Sequence, residues 1–586
     1  MSVTLSPTIS LAGSALASSW QGALLEVHAE LVLSRPARLV LRFADPGYSL
    51  LSKNTVALGM QVSLTVPGAS SSLLTGEVTE VGCEQREGEQ PELIVVAHDQ
   101  SHRLARMSNV GTYLSMGVND VVTSLAQAAG LTPSVSGSLT TIDYLMQVDT
   151  NLGLLDELAA RTGCDWWVEG SDLHFAPPAS VRTIQLTLGK TLRSFSARAT
   201  GYHADKVVVD GWNRDEQEVV TGTASSASTA VLSTSPLAKL VESPGTAFGD
   251  ASIVTSSIGA NTQEEAATLS QVLLDRQAAS SVEAWGVADG TVALALTDIV
   301  EVGGAGPLNG KYPVTSIDFS YRPHRGSLLR FRCGDRRRSP AMGLGGRGSE
   351  NHGSVVSHPG LIVGLVTNIN DPNKQGRVKV RFPGLSSKDE SAWARLTGIG
   401  GGNNRGSVFV PEVNDEVLVA FEGGDTRLPV VIGGLYGSKS VIPTPDIDNG
   451  QVQSRQLQSR LGHYFRFLDG TSSANQAIEL ALSGGQNLIH LGKDKLTLQV
   501  PSNTPVDVIA GNSTISVAAS GAITMKAPSI SIQAQTSLEL KAATISVAAS
   551  SALSLQADAA TTLKGSTVQV QSSGAMTIVG ASVAIN

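Results

Sequence analysis

Few residues in this chain of 586 have the type and spacing for chemistry. His98-Asp-Gln-Ser-His102 sets two imidazoles four residues apart, the spacing with which a helix presents a zinc pair. A zinc-protease helix carries Glu after the first His; here the residue is Asp99, and the apolar run Leu93–Ala97 ahead of it reads as strand. The pair is therefore expected to be structural, at a strand end. Gly343-Leu-Gly-Gly-Arg-Gly348 fits a dinucleotide fingerprint letter for letter, but no strand precedes it and no helix follows, so it reads as linker. Gly398–Gly402 with Gly406 could cradle a phosphate and is better read as a long loop. Cys83, Cys164 and Cys333 are too few and too scattered for a disulfide framework or a zinc site, and no His accompanies them as a catalytic partner. They are expected to be buried thiols of a chain folded in a reducing compartment. Trp166-Trp167 could stack a sugar, but core or subunit contact is the simpler reading. No carboxylate pair suited to glycoside hydrolysis stands out. The expected catalytic, cofactor and metal residues are thus none.

Charge gives one further cluster. Arg322, Arg325, Arg330, Arg332, Arg336, Arg337 and Arg338 fall within 17 residues. They suit a solvated strand face or contact with an acidic protein surface. Nucleic acid is disfavoured, because aromatic interleaving is missing and the whole chain carries a net charge of −9. No run of about 18 apolar residues marks a membrane span. Residues 8–17 are apolar and end in Ala-x-Ala, but no Lys or Arg precedes Arg35, so no signal peptide is expected.

The elements behind these residues divide the chain by composition. Residues 1–335 read as mostly β, with strand candidates Ala23–Leu31, Ala37–Phe43, Gln61–Val66, Glu92–Val96, Lys206–Val209, Asp298–Val302 and Val314–Tyr321. Three helices interrupt them. One is capped by Asn119-Asp120 and stopped by Gly130; one spans 150–162 and ends at Gly163; one opens at the capping box Thr262-Gln-Glu-Glu265. Residues 336–359 form a Gly/Arg-rich linker. Residues 360–440 hold strand candidates Leu361–Thr367, Gly376–Phe382, Ala392–Thr397, Ser407–Phe409, Glu416–Phe421 and Pro429–Gly433, the content of a small OB-type barrel. A neck spans 441–504.

The tail, 505–586, is a repeat. Apolar-x-apolar pairs begin at Ile515, Ile523, Ile530, Leu538, Ile545, Leu553, Thr561, Val568, Met576 and Val583, at intervals of 8, 7, 8, 7, 8, 8, 7, 8 and 7. Six charged residues occur between 501 and 586, none of them after Lys564, and no aromatic follows Phe467. Strands this short, with small residues between, cannot enclose a core alone. The repeat suits three intertwined chains, each giving one side of a triangular prism. Ten layers at one strand spacing each make it on the order of 50 Å long. Ile523, Ile530, Leu538, Ile545, Leu553, Val568, Ile578 and Ile585 are the expected needle core. The uncharged tip from Gly565 would be an aggregation hazard unless another protein capped it.

Four segments, in order, resemble the OB domain of VgrG-type spike proteins of contractile injection systems. They are Asp371-Pro-Asn-Lys-Gln-Gly-Arg-Val-Lys-Val-Arg-Phe-Pro383, Trp393-Ala-Arg395, Phe409-Val-Pro-Glu-Val-Asn-Asp-Glu-Val-Leu-Val419, and Phe421-Glu-Gly-Gly-Asp425 with Pro429-Val-Val-Ile-Gly433. Asp371, Gly376, Arg377, Trp393, Pro411, Asp415, Glu416, Gly424, Asp425, Pro429 and Gly433 carry the motif. His98–Leu104, Gln147 through Trp167 and Gly310–Thr315 resemble the family's tail hub, and the repeat resembles its needle. The resemblance implies a mainly β fold: tail-hub β-barrel domains with a few helices in 1–335, an OB barrel, and a triple-stranded β-helix needle in a homotrimer. It implies a structural spike rather than an enzyme, without cofactor, and tube or baseplate contact through Arg322, Arg325, Arg330, Arg336, Arg337 and Arg338. The implied partners are inner tube and baseplate proteins, a PAAR-type tip cap and effectors. The implied location is bacterial cytoplasm at assembly, then the cell exterior or a target envelope, where a membrane is met only in passing. About 60 residues separate barrel and needle, too few for an inserted lysozyme, and a needle at the end of the chain leaves no room for a fused toxin. This compact form is most like the spike of extracellular contractile particles, with a type VI spike as the other branch. A peptidoglycan-degrading spike and a passive trimeric adhesin fibre are the alternatives.

Overall fold

The computed structural model describes residues 6–585 apart from 54–55, 138–140, 148, 180–181, 215, 242–243, 256–259, 335–359, 385–387, 444–446 and 473–474. The linker, its glycine fingerprint and Arg336, Arg337 and Arg338 therefore lie outside the described residues. The chain falls into two compact units, Met1–Ile442 and Pro443–Asn586.

The first unit is organised by a 13-stranded sheet. One wing comes from the chain before residue 99, from Thr8–Leu11 to Glu92–His98. The other comes from Thr183–Thr187 to Gly326–Cys333. They join where Leu24–Val32 pairs antiparallel with Gly310–Arg322, Val27 opposite Tyr321 and Val32 opposite Ser316. The expected barrel subdomains are thus wings of one continuous sheet. Alternation explains the core: Val27, Ala29 and Leu31 point inward with Leu39, Leu41, Phe43, Ile317, Phe319 and Phe331, all buried.

Two insertions leave this sheet. Residues 102–176 pack helices Val118–Ala128 and Asn151–Thr162 against a small core of Leu104, Leu125, Leu155, Trp166 and Phe175. Residues 206–279 form a three-stranded sheet under helix Gln263–Ala279. Two of the expected caps hold. Thr150 accepts from the Gly153 amide, and Gly163 ends that helix with φ 73°. Thr262 accepts from the Glu265 amide, while the Glu265 carboxylate takes the Asn261 amide. The third does not: that helix starts at Val118 with Gly117 before it, so Asn119 and Asp120 lie inside its first turn. Short helices at Ser18–Ala23, His102–Arg106 and Pro244–Phe248 were not expected; each is too brief to show a 3.6-residue period.

Cys164 and Cys333 are buried, but Cys83 is exposed. A bulge between Val78 and Glu80 breaks the alternation of its strand, which then runs past the core.

The OB region forms a five-stranded sheet in the order Lys379–Arg381, Leu361–Asn368, Glu416–Phe421, Pro429–Gly434, Arg395–Leu396. Bridges from Val378 to Ala394 and Arg381 to Glu390 bring the two ends together and close the barrel. Ser407–Phe409 is not a strand. It leaves the glycine loop 398–406 with Val408 and Phe409 exposed and no neighbouring strand to pair with.

The second unit opens with antiparallel meanders. Ser454–Gln458, Tyr464–Asp469, Gln476–Ala481, Leu488–Gly492 and Leu496–Gln499 make one; Val506–Ala510, Ser513–Val517 and Ile523–Lys526 make the next. Glycines with positive φ at 484, 485, 511 and 521 sit at turns between these strands. From 522 to 564 the sequence contains no glycine, and no strand is assigned among the described residues beyond Lys526. Two-residue hairpin turns favour positive φ and hence glycine, and the loss of glycine coincides with the end of the hairpins.

Candidate functional site: an exposed apolar track

In the first meander Leu457 faces Phe465, Phe465 faces Leu480, Leu480 faces Ile489 and Ile489 faces Leu498. Beside that column Phe467 faces Ile478, Ile478 faces Leu491 and Leu491 faces Leu496. Residues directly opposite share a face, so nine apolar side chains line one side of this sheet. They are not covered: Leu480 is 54 % exposed, Leu491 51 % and Leu498 58 %. The opposite side carries polar groups. Glu479 accepts from Arg466 at 2.6 Å and pairs with His490 at 3.0 Å, Arg466 lying over the Tyr464 ring. Burial pushes the Glu479 carboxyl up, but these two partners more than reverse it and hold it below its usual value.

The track continues. In the second meander Val508 faces Ile515, Ile515 faces Met525, and Val517 faces Ile523. The first two pairs of the repeat therefore meet within one chain, not across chains as expected. The hairpin turn at Ala518–Ala522, with Gly521 at φ 83°, makes this possible. Ile530, Leu538, Ile545, Leu553, Val568, Ile578 and Ile585 carry the same pattern onward, all exposed, and from Pro528 to Ile585 every residue is exposed. The neck half of this track was missed in the sequence. Its signal is Phe465-Arg-Phe467, Ile478-Glu-Leu480, Ile489-His-Leu491 and Leu496-Thr-Leu498, the same apolar-x-apolar unit at unequal spacing.

The OB motif residues serve the barrel's turns. Asp371 accepts from the amides of Asn373, Gln375 and Arg377 and from the Arg377 guanidinium at 2.9 Å. That guanidinium, with the amides, holds the carboxyl well below its usual range. Gly376 supplies the φ of 73° inside this turn, and Gly424 one of 80° before Asp425. Asp415 accepts from the Glu412 amide, Lys379 lies over the Trp393 ring, Glu416 and Gly433 lie on paired strands, and Pro429 stands opposite Phe421. Pro411 is half-buried in the otherwise exposed approach to that turn.

One motif residue reaches further. Asp425 pairs with Arg427 at 2.8 Å and lies 3.8 Å from Arg161, and Arg427 pairs with Glu265 at 2.5 Å. Arg161 and Glu265 come from the two helical insertions, so this network ties barrel to hub. Burial raises the Asp425 carboxyl, but the two arginines outweigh it and keep it low. Tyr144 and Met146, on hub strand Thr141–Gln147, join the barrel's own core of Val366, Phe382 and Val419.

The other candidates are engaged within the chain. His98 ends a strand and bonds Thr79 at 2.7 Å; His102 begins a helix and bonds Glu77 at 3.2 Å. Trp166 is buried and donates to Asp156; Trp167 stacks on His174. Arg322 pairs with Glu26 and Arg330 with Asp318. Arg330 and Arg332 also line a cleft of about 590 Å³ with Val32, Asp318, Gln271 and Asp275. Arg325 lies on the exposed turn between the last two hub strands.

Comparison with known proteins finds similarities in several parts of the chain. Residues 362–436 match the type VI secretion system/phage-baseplate injector OB domain. The type VI spike protein VgrG5 of Pseudomonas aeruginosa is 40 % identical over 75 residues, 12 % of this chain and 10 % of the relative. VgrG3 of Vibrio cholerae is 28 % identical over 123 residues, 20 % of this chain and 11 % of the relative. The matched stretch thus spans about a tenth of the length of these curated relatives. Among solved structures, an Escherichia coli type VI secretion component, described as similar to T4 tail proteins, aligns with a TM-score of 0.45 at 14 % identity, over 71 % of this chain and 97 % of its own. A Francisella PdpA–VgrG complex gives 0.45 at 9 %, over 89 % and 87 %. The barrel and its motif turns are thus similar to the OB domain of VgrG-type spike proteins. The Alg8 N-terminal domain family matches residues 2–322, more than half of the chain, and the chain belongs to that family.

Proposed function

We propose that this chain is the central structural spike of a contractile injection system and works as a homotrimer. The observation that carries the reading is the apolar track. A chain that leaves nine aligned apolar side chains of one sheet half-exposed, and then repeats the same unit to its last residues, has prepared a surface for burial. Covering each large apolar side chain is worth about 1.5–3 kcal/mol in full, and roughly half that from a half-covered start. Copies of the same chain supply the same track. Three copies suit a repeat of seven to eight residues, one short strand per chain per layer.

In this reading the hub end meets the inner tube and baseplate, and the needle bears a PAAR-type cap on its uncharged repeats from Gly565. Sheath contraction drives the trimer through a target envelope, with effectors carried on the cap or in the tube. The spike assembles in the bacterial cytoplasm and ends outside the cell or in the target envelope. The spike names of the relatives and the injector OB domain support mechanical rather than catalytic work. Native mass spectrometry tests the reading. Three times 60.7 kDa, about 182 kDa, is expected, and a soluble monomer at the chain mass overturns it.

A further inference from the structure

The repeat poses a register problem. Its pairs recur every seven or eight residues, so sliding one chain past its neighbours by one repeat again sets apolar pairs against apolar pairs. Nothing between Pro528 and Leu563 breaks this near-degeneracy: the segment has no glycine, no aromatic and three charged residues. Three chains winding together from such a segment alone would trap shifted alignments.

The neck is built differently. Its five strands pair within one chain, so its sheet forms without a partner. Its apolar pairs begin at 465, 478, 489 and 496, spaced 13, 11 and 7 residues, so a shifted neighbour would set apolar side chains against turns. Its polar side is internally matched, with Glu479 between Arg466 and His490, and only the apolar side is left open. That side is continuous with the needle: Ile515, Val517, Ile523 and Met525 belong both to the second meander and to the repeat.

We propose that the neck meander, residues 454–499, continued by the second meander to Lys526, is the registration clamp of the needle. Each chain folds its neck sheet alone. Its apolar face, Phe465, Phe467, Ile478, Leu480, Ile489, Leu491, Leu496 and Leu498 with Leu457, then meets the same face of two further copies. Only afterwards is the glycine-free segment wound, from the neck outward, with its alignment already set. The occupant of this face is a second copy of the same chain, because the track runs unbroken into repeats that have no covering surface of their own. The proposal rests on the trimeric reading above.

The test is refolding of the full chain, followed by pulsed hydrogen exchange and native mass. Amides of 464–499 are expected to become protected before those of 527–585, at a rate independent of chain concentration. Ile478→Asp with Leu491→Asp, which places two carboxylates opposite each other on the face, is expected to slow trimer formation at least tenfold. Gln499→Asp, on the other side of the sheet, leaves the rate unchanged. Leu540→Asp, in the needle, leaves the early neck protection intact. A trimer whose neck and needle become protected together, or whose rate ignores the double substitution, overturns the clamp and leaves the spike reading standing. A monomer overturns both.

Discussion

The two units of this chain solve the same problem in opposite ways. In Met1–Ile442 the alternating strands close on themselves, and Phe43, Phe319 and Phe331 reach near-complete burial inside one chain. In Pro443–Asn586 the alternation is as regular, yet its apolar side faces outward and Leu498 stays 58 % exposed. The difference is not propensity, since both units are rich in Val, Ile, Ser and Thr strands. It lies in the connections. Helical insertions and long crossovers return the hub strands to a shared interior, whereas the tail has only tight turns and then, from residue 522 to 564, no glycine to make one. The first unit therefore owns its stability; in the trimeric reading proposed above the second borrows it from other copies, which makes it depend on concentration.

The strongest way to break this contrast is dilution. All six tryptophans lie at or before Trp393, so their fluorescence reports the first unit alone. In a dilution series the far-ultraviolet melting transition of the tail is expected to move to lower temperature while the tryptophan transition stays fixed; joint movement would erase the distinction. Next in size is Phe331→Ala, which hollows the hub core and is expected to cost about 3–5 kcal/mol. It should lower the tryptophan transition and leave the oligomer mass unchanged. Arg427→Met strips a guanidinium from between Asp425 and Glu265, two acids left with reduced compensation, and is expected to cost about 3 kcal/mol, read in the same melt.

The smallest effect concerns Asp156, whose carboxyl burial pushes up to about 6 although Trp166 donates to it. A carboxyl raised above its unfolded value near 3.9 binds its proton more tightly in the folded state. Its contribution is most favourable below pH 4 and declines as pH rises through 4 to 6. Asp156→Asn keeps an acceptor for Trp166 and is expected to stabilise the hub at pH 7.5 by about 1–2 kcal/mol and to flatten that slope. A melt insensitive to the substitution at pH 7.5 would place the charge in solvent.

What the sequence disclosed follows the reach of each interaction. The Thr262 capping box was legible because its partners lie within four residues of one another. The tie between Arg427 and Glu265 was not, since 162 residues separate them and neither neighbourhood hints at the other. The needle repeat was visible through its period, and the neck face was hidden by the lack of one, although it uses the same unit. Cys83 and Ser407–Phe409 misled for different reasons: a bulge carries the strand of Cys83 past the core, and Ser407–Phe409 has no neighbouring strand among the described residues to pair with.

The place of the last hub strand bears on how the chain handles force. Gly326–Cys333 leads out of the hub, and it is not an edge: Val282–Asp289 pairs with one side of it and Gly310–Arg322 with the other. A push or pull entering at Gly334 runs along this strand, while its hydrogen bonds lie across it. Both ladders are then loaded in shear, so their bonds resist together and must fail together. A strand at the rim, pulled from its end, would peel away one bond at a time.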